Sequence, residues 1–269
     1  EMRQLAEALW NGMGLLSLTV IPNLMRDPAA NQAAAEFVRG KIREIVKDKD
    51  LAEKLIPRDY PIGSKRACVD TDYYETFNRE NVRLVDLRET PIEEITPTGV
   101  RTADAEYPVD VIVFATGFDA MTGALLRMDI RGRGGRSLQD AWAEGPKTYL
   151  GLMVAGFPNL FTVTGPGSPS VLSNMITSCE QHVDWISDAI AWARSRQAAA
   201  FEATDAAQEA WVRHVNEEAD QTLFPLANSW YIGANVPGKP RVFMPYVGQG
   251  YKIRVDEIAA RGYEGFAVA

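Results

Sequence analysis

Cysteine is nearly missing from this chain of 269 residues: Cys68 and Cys179 stand far apart and form no Cys-x-x-Cys pair. That excludes a disulfide framework, offers no metal-binding spacing and makes a reducing cytoplasm the default location. Histidine is as scarce. Neither His182 nor His214 has a serine or carboxylate at triad-like positions, so hydrolase chemistry has no support, and both are expected on exposed helix positions. Positive charge is also short, and a formal net charge of -8 argues against a nucleic-acid partner. The longest apolar stretch near the start, residues 13–22, is too short to span a bilayer and has neither a basic lead-in nor a small-residue cleavage site. Nowhere does a Gly-x-Gly-x-x-Gly follow a strand, the turn that seats a dinucleotide pyrophosphate on a helix N-terminus.

What is present starts with 46% hydrophobic residues, enough to bury a substantial core in one or two domains. Residues 109–114, Val-Asp-Val-Ile-Val-Phe, lack period-two alternation and are rich in β-branched residues, as in a strand covered on both faces of a parallel sheet. They run into Ala115, Thr116, Gly117, Phe118 and Asp119, where Gly117 removes a side chain that would keep backbone from a cofactor. Residues 82–85 read as a second strand. Ala34, Val38, Ile42 and Ile45 form a helical stripe within residues 30–47, and a shorter helix over 51–55 stops at Pro57. Residues 157–164 read as a strand feeding a tight loop, Gly165-Pro166-Gly167, with a helix soon after. In that helix Leu172, Ile176, Cys179, Val183, Ile186 and Ile190 recur at spacings of three and four, which predicts their burial. Lys65 and Arg66 are adjacent cations at a strand start, readable as a solvated pair or as an anion site. The Arg-Gly run over 131–136 reads as a short hairpin turn with solvated charges. Trp142, Trp185 and Trp211 read as packing residues.

Four segments, each present once, carry a resemblance by their order and spacing. They are residues 109–119, residues 72–79 (Asp-Tyr-Tyr-Glu-Thr-Phe-Asn-Arg), residues 165–170 (Gly-Pro-Gly-Ser-Pro-Ser), and Asn228-Ser229-Trp230 continuing through Val236-Pro237-Gly238-Lys239. Through them the chain resembles the Baeyer-Villiger monooxygenases, over about the C-terminal half of such an enzyme. The resemblance implies an α/β flavoprotein with two dinucleotide-binding, Rossmann-like domains for FAD and NADPH and a helical insertion. Residues 1–58 would be the helical insertion in the NADPH domain, 59–115 its returning part, and 116–269 the C-terminal part of the FAD domain with a mobile lid loop. Both glycine-rich turns would lie upstream, so this half requires the missing N-terminal half and is not expected to turn over by itself.

The implied reaction uses FAD, NADPH and O2 to insert oxygen beside a ketone carbonyl, giving an ester or lactone. Arg66 falls on the family's active-site arginine and Lys65 on a lysine that contacts NADPH phosphate. A guanidinium stays protonated and presents donors in a fixed plane, so it can hold anionic oxygen without surrendering a proton. The resemblance further places Thr116, Gly117, Met175, Ile176 and Trp230 at the cofactors, and Ser170, Val171, Leu172 and Met175 around the ketone. Trp230 falls on a tryptophan that closes over the nicotinamide nucleotide, a role suited to an amphipathic indole. The helix after the Gly-Pro loop would direct its N-terminal dipole at the reduced flavin ring. Two alternatives stay open at this point: an N- or S-oxygenating flavin monooxygenase, and a non-catalytic binding module.

Overall fold

The computed structural model describes residues 2–13, 18, 21–68 and 71–269. Most of the 13–22 apolar stretch, and Val69 of the segment that follows Lys65-Arg66, lie outside the described residues. The chain divides into two compact units, Glu1–Gly117 and Phe118–Ala269.

The first unit opens with helices α1 (Met2–Met13), α2 (Pro28–Ile45), α3 (Lys49–Leu55) and the single turn α4 (Tyr73–Thr76). Asp27 starts α2, accepting hydrogen bonds from the backbone N–H groups of Ala29 (2.8 Å) and Ala30 (3.3 Å), while Pro28 occupies a position where no N–H is needed. Asp48 caps α3 in the same way. Ile42, Val46, Ala52 and Ile56 form the small core between these two helices, with Val38 against it. Three short antiparallel strands follow in the order β1 (Ile92–Thr96), β2 (Gly99–Thr102), β3 (Glu106–Pro108), with Ile95 opposite Val100 and Val100 opposite Tyr107.

The strands expected over 82–85 and 109–114 are not formed. A strand is defined by its neighbours, and among the described residues none offers a ladder to either segment. Residues 109–114 run irregularly, and the side chains read as doubly buried face solvent: Val113 is 83% exposed and Phe118 just beyond is 89% exposed.

The second unit is built from α5 (Gly123–Leu126), α6 (Leu138–Ala141), α7 (Met175–Ser195), β4 (Phe201–Ala203), α8 (Asp205–Asp220), α9 (Tyr251–Ala260) and β5 (Phe266–Val268). Strands β4 and β5 pair antiparallel. Its core gathers Leu150, Leu152 and Met153 from a turn, Trp185 and Ala189 from α7, Trp211 and Val215 from α8, and Tyr251 and Val255 from α9. The three tryptophans read as packing residues are buried, and each indole N–H also has an acceptor: Trp142 on Lys147 O, Trp185 on Val255 O and Trp211 on Gly167 O, all at 3.0 Å. The 131–136 run is a tight turn closed by an Arg131–Ser137 bridge, with Arg133 paired to Glu202.

Two expectations here are corrected. Residues 157–164 form successive turns with one bridge, Met153 to Phe161, because Pro158 has no N–H and Asn159 and Thr164 take positive φ. Helix α7 also packs on a face rotated about 100° from the expected one, with Ile186 of the expected row still against the edge of the core. Ser178, His182, Trp185, Ala189 and Ala193 are buried, whereas Ile176 is 75% and Val183 51% exposed. The apolar period was real, but a second row of small and aromatic residues carries the packing. Denaturant unfolding should resolve the two rows: Trp185→Ala is expected to cost about 3–5 kcal/mol and Val183→Ser less than about 0.5 kcal/mol.

Candidate functional site

In the first unit the expected cations line a cavity of about 620 Å³. Its apolar wall comes from Ala35, Val38, Ile42 and Ile45 of α2, and Lys65, Arg66 and Cys68 contribute from the other side. Asn31 fixes this arrangement. Its buried amide donates to Leu24 O (3.0 Å) and Ile62 O (2.9 Å), and its oxygen accepts from Ile62 N–H (3.0 Å), so the turn before Lys65 is fastened to α2. Ser64, fully buried, closes the turn by donating to Pro61 O. The ammonium of Lys65 stands 4.4 Å from the centre of the Tyr60 ring, a cation–π distance, and burial pushes the Tyr60 phenol up. Arg66 is exposed. Thr116 and Gly117 end this unit, both exposed, and Gly117 has φ +83°, a conformation that favours glycine.

In the second unit the remaining expected residues cluster around one loop, residues 165–170. Nearly every polar group of that loop has a partner. Gly167 N–H donates to Met244 O (2.6 Å) and Gly167 O accepts from Trp211; Thr148 Oγ1 donates to Pro166 O (2.6 Å); Ser168 Oγ donates to Gly165 O (2.7 Å); Tyr246 N–H donates to Ser168 O (2.7 Å). Ser170 is buried with φ +44°, and its hydroxyl donates to Met121 Sδ at 3.6 Å. Val171 and Leu172 pack into the same apolar cluster as Tyr231, Phe243 and Trp230. The expected pocket residues and the expected lid residue therefore share one cluster. Asn174 caps α7, accepting from Ile176 and Thr177 N–H, which leaves Met175 and Ile176 as exposed apolar side chains at the helix start.

Sequence reading missed His182. It is 1% exposed rather than solvated, and its Nδ1 accepts from Thr164 N–H at 2.9 Å. Nε2 must then carry the proton, and it meets no acceptor among the described residues. Burial lowers its pKa to about 4. His214 is half-buried, with Nε2 3.0 Å from the Tyr246 hydroxyl. The available signal was the register of His182 with Trp185 and Ala189. Among the described residues no three His, Cys, Asp or Glu side chains group to hold a metal ion, and no helix is long and apolar enough to cross a membrane.

Comparison with known proteins gives the frame for this geometry. No family model matches the chain. The phenazine N-monooxygenase PhzNO1 of Lysobacter antibioticus is 47% identical over 243 residues, 89% of this chain and 44% of that protein. A Baeyer-Villiger monooxygenase of Pseudooceanicola batsensis is 42% identical over 268 residues, 98% of this chain and 48% of that protein. The crystal structure of OTEMO in complex with FAD and NADP superimposes with a TM-score of 0.92 at 40% identity, covering 99% of this chain and 51% of that one. The chain belongs to the Baeyer-Villiger monooxygenase family and has the fold of the C-terminal half of these two-domain α/β flavoproteins. It spans about half the length of the curated relatives it matches.

His182 generates a pH prediction. Above the ordinary imidazole value of 6.5 the folded and unfolded chains are both neutral there; between 6.5 and about 4 the unfolded chain binds a proton that the folded chain refuses. Stability is therefore expected to fall with decreasing pH through that window, by on the order of 3 kcal/mol in all. Unfolding titrations at pH 7 and pH 5 should show the loss in the parent and a smaller one in His182→Gln.

Proposed function

We propose that this chain is the C-terminal half of an FAD- and NADPH-dependent Baeyer-Villiger monooxygenase that converts a ketone to an ester or lactone. The observation that carries the reading is the agreement of nearly the whole chain with named relatives of that activity, in sequence and in backbone. The residues suit the cofactors chemically. Lys65 and Arg66 offer cations beside an apolar cavity, as a phosphate-bearing nucleotide and a ketone would require. Met175 and Ile176 leave an exposed apolar ledge at the start of α7, fit for a flat ring, next to a loop whose own polar groups are already paired. When bound, the nicotinamide supplies hydride and the flavin passes one oxygen atom of O2 to the substrate.

In this reading Lys65 binds nucleotide phosphate. Arg66 holds the oxygen on which negative charge develops and, remaining protonated at any working pH, does not quench it. Ser170, Val171, Leu172 and Met175 shape the ketone pocket, Thr116 and Gly117 bring backbone close to a cofactor, and Trp230 covers the nucleotide. The helical residues 1–58 and the segment 59–115 belong to the NADPH domain and 116–269 to the FAD domain. The missing N-terminal half is required for activity, and the exposed Val113, Phe114 and Phe118 side chains, with Ile176 and Val183 of α7, are apolar surface for it to cover.

N-oxygenation is the second reading, favoured by the 47% identity to a phenazine N-monooxygenase. The full-length Arg66→Ala variant separates the two. Retained NADPH oxidation with ketone oxygenation reduced by at least about 10²-fold is expected, the usual cost of one oxyanion donor. Unchanged ester formation would remove Arg66 from the chemistry, and N-oxide formation with no ester from the parent would favour the second reading.

Addition of the separately produced N-terminal half to this chain provides a second test. NADPH oxidation and ester formation should require both pieces; turnover by either alone overturns the requirement for the other.

A further inference from the structure

The loop that carries Trp230 is fastened at three points to the first residues of the second unit. Asn235 Nδ2 donates to Phe118 O at 2.8 Å, and Lys239 Nζ donates both to Asp119 Oδ1 at 2.5 Å and to Ala120 O at 2.9 Å. The Lys239 side chain is 9% and the Asp119 side chain 30% exposed, so the pair is partly buried. Space for it is reserved: a Cβ on Gly123 would lie 2.5 Å from the Asp119 carboxylate carbon. The loop itself is gathered by Arg241, whose guanidinium donates to the carbonyls of Gly233, Val236 and Lys239. From the other side, Met121 receives the hydroxyl of Ser170. Residues 118–121 thus stand between the Trp230 loop and the Ser170–Leu172 turn, hydrogen-bonded to both.

We propose that Lys239 and Asp119 are positioning residues that set the seat of Trp230 against the Ser170–Leu172 turn. A solvent-exposed ion pair would be a weak fastening, but a lysine side chain this covered loses more when its carboxylate is removed. The loop is therefore held in one discrete place rather than over a range, and Arg241 makes residues 233–239 move as a piece with the pair. Trp230 lies in the apolar cluster with Val171 and Leu172, so displacing the fastening shifts the indole relative to both. This inference rests on the reading of Trp230 as the residue that covers the nucleotide.

Lys239→Met, Asp119→Asn, their double variant, Lys239→Arg and Trp230→Ala test it in the full-length enzyme, read by KM for NADPH, kcat and the fraction of oxidised NADPH that yields oxygenated product. Each single variant of the pair is expected to raise KM for NADPH roughly tenfold, the scale of one lost charged hydrogen bond, and to lower the product fraction. kcat should change far less, the double variant should be no worse than either single one, and Lys239→Arg should recover part of the loss. In the chain itself, chymotryptic cleavage at Trp230 and Tyr231 should accelerate in Lys239→Met and Asp119→Asn alike. Normal KM and product fraction in Lys239→Met beside a damaged Trp230→Ala would overturn the role of the pair alone. Normal behaviour of Trp230→Ala would overturn the nucleotide-covering reading and the inference with it. Strictly additive effects would overturn the pairing.

Discussion

The saturation of hydrogen bonds around residues 165–168 is the constraint from which the second unit's site follows. Thr148, His182 of α7, Trp211 of α8 and the segment that carries Met244 and Tyr246 approach this short loop from separate parts of the chain, and each makes or accepts a bond to its backbone or to Thr164 beside it. A loop of two glycines, one proline and one serine offers little apolar side chain to pack. Here its order is imposed from outside, by polar atoms that would be buried without partners if the loop moved. Helices α7, α8 and α9 meet around it, and their aromatic core is the rigid body that holds those atoms still.

Several elements were legible in the sequence because their determinants are local. Helix α2 begins where Asp27 and Pro28 stand and ends near the expected residue; α3 stops before Pro57. The family was legible too, because its motifs are short, ordered and chemically specific. Strands were not, since a run such as 109–114 encodes a willingness to pair but no partner, and the described residues supply none. The packing face of α7 was misread for a related reason. Periodicity marks apolar rows, but in α7 the row one residue along, about 100° away and partly polar, also fits a packing face; only tertiary contact decides which one meets the core.

Residues that act through others were the least visible. Asn31, His182 and Lys239 are a helix-surface amide, a lone histidine and one lysine among many when read in one dimension. Each gains its meaning from a backbone atom or carboxylate far along the chain: Ile62 for Asn31, Thr164 for His182, Asp119 for Lys239. The side chains expected to touch cofactor or substrate and the ones that hold the backbone in place leave different traces in a sequence. The first kind is marked by chemistry at a motif, while the second is marked only by burial.

Gly151 shows how far the demand of the loop extends. With φ +72°, it lies where an added Cβ would stand 2.5 Å from Ser168 N and 3.0 Å from Gly165 O, so its bare backbone is part of the wall against which the loop is cast. Any side chain there would push on the same backbone that Thr148 and Trp211 pull into place. Residue 151 bears no functional group, yet its tolerance to replacement should resemble that of a reactive residue. A saturation library across this unit would then report two kinds of silence, one from lost chemistry and one from lost room. Variants at 171 and 172, whose side chains pack in the neighbouring apolar cluster without hydrogen-bonding the loop, would escape both kinds of silence.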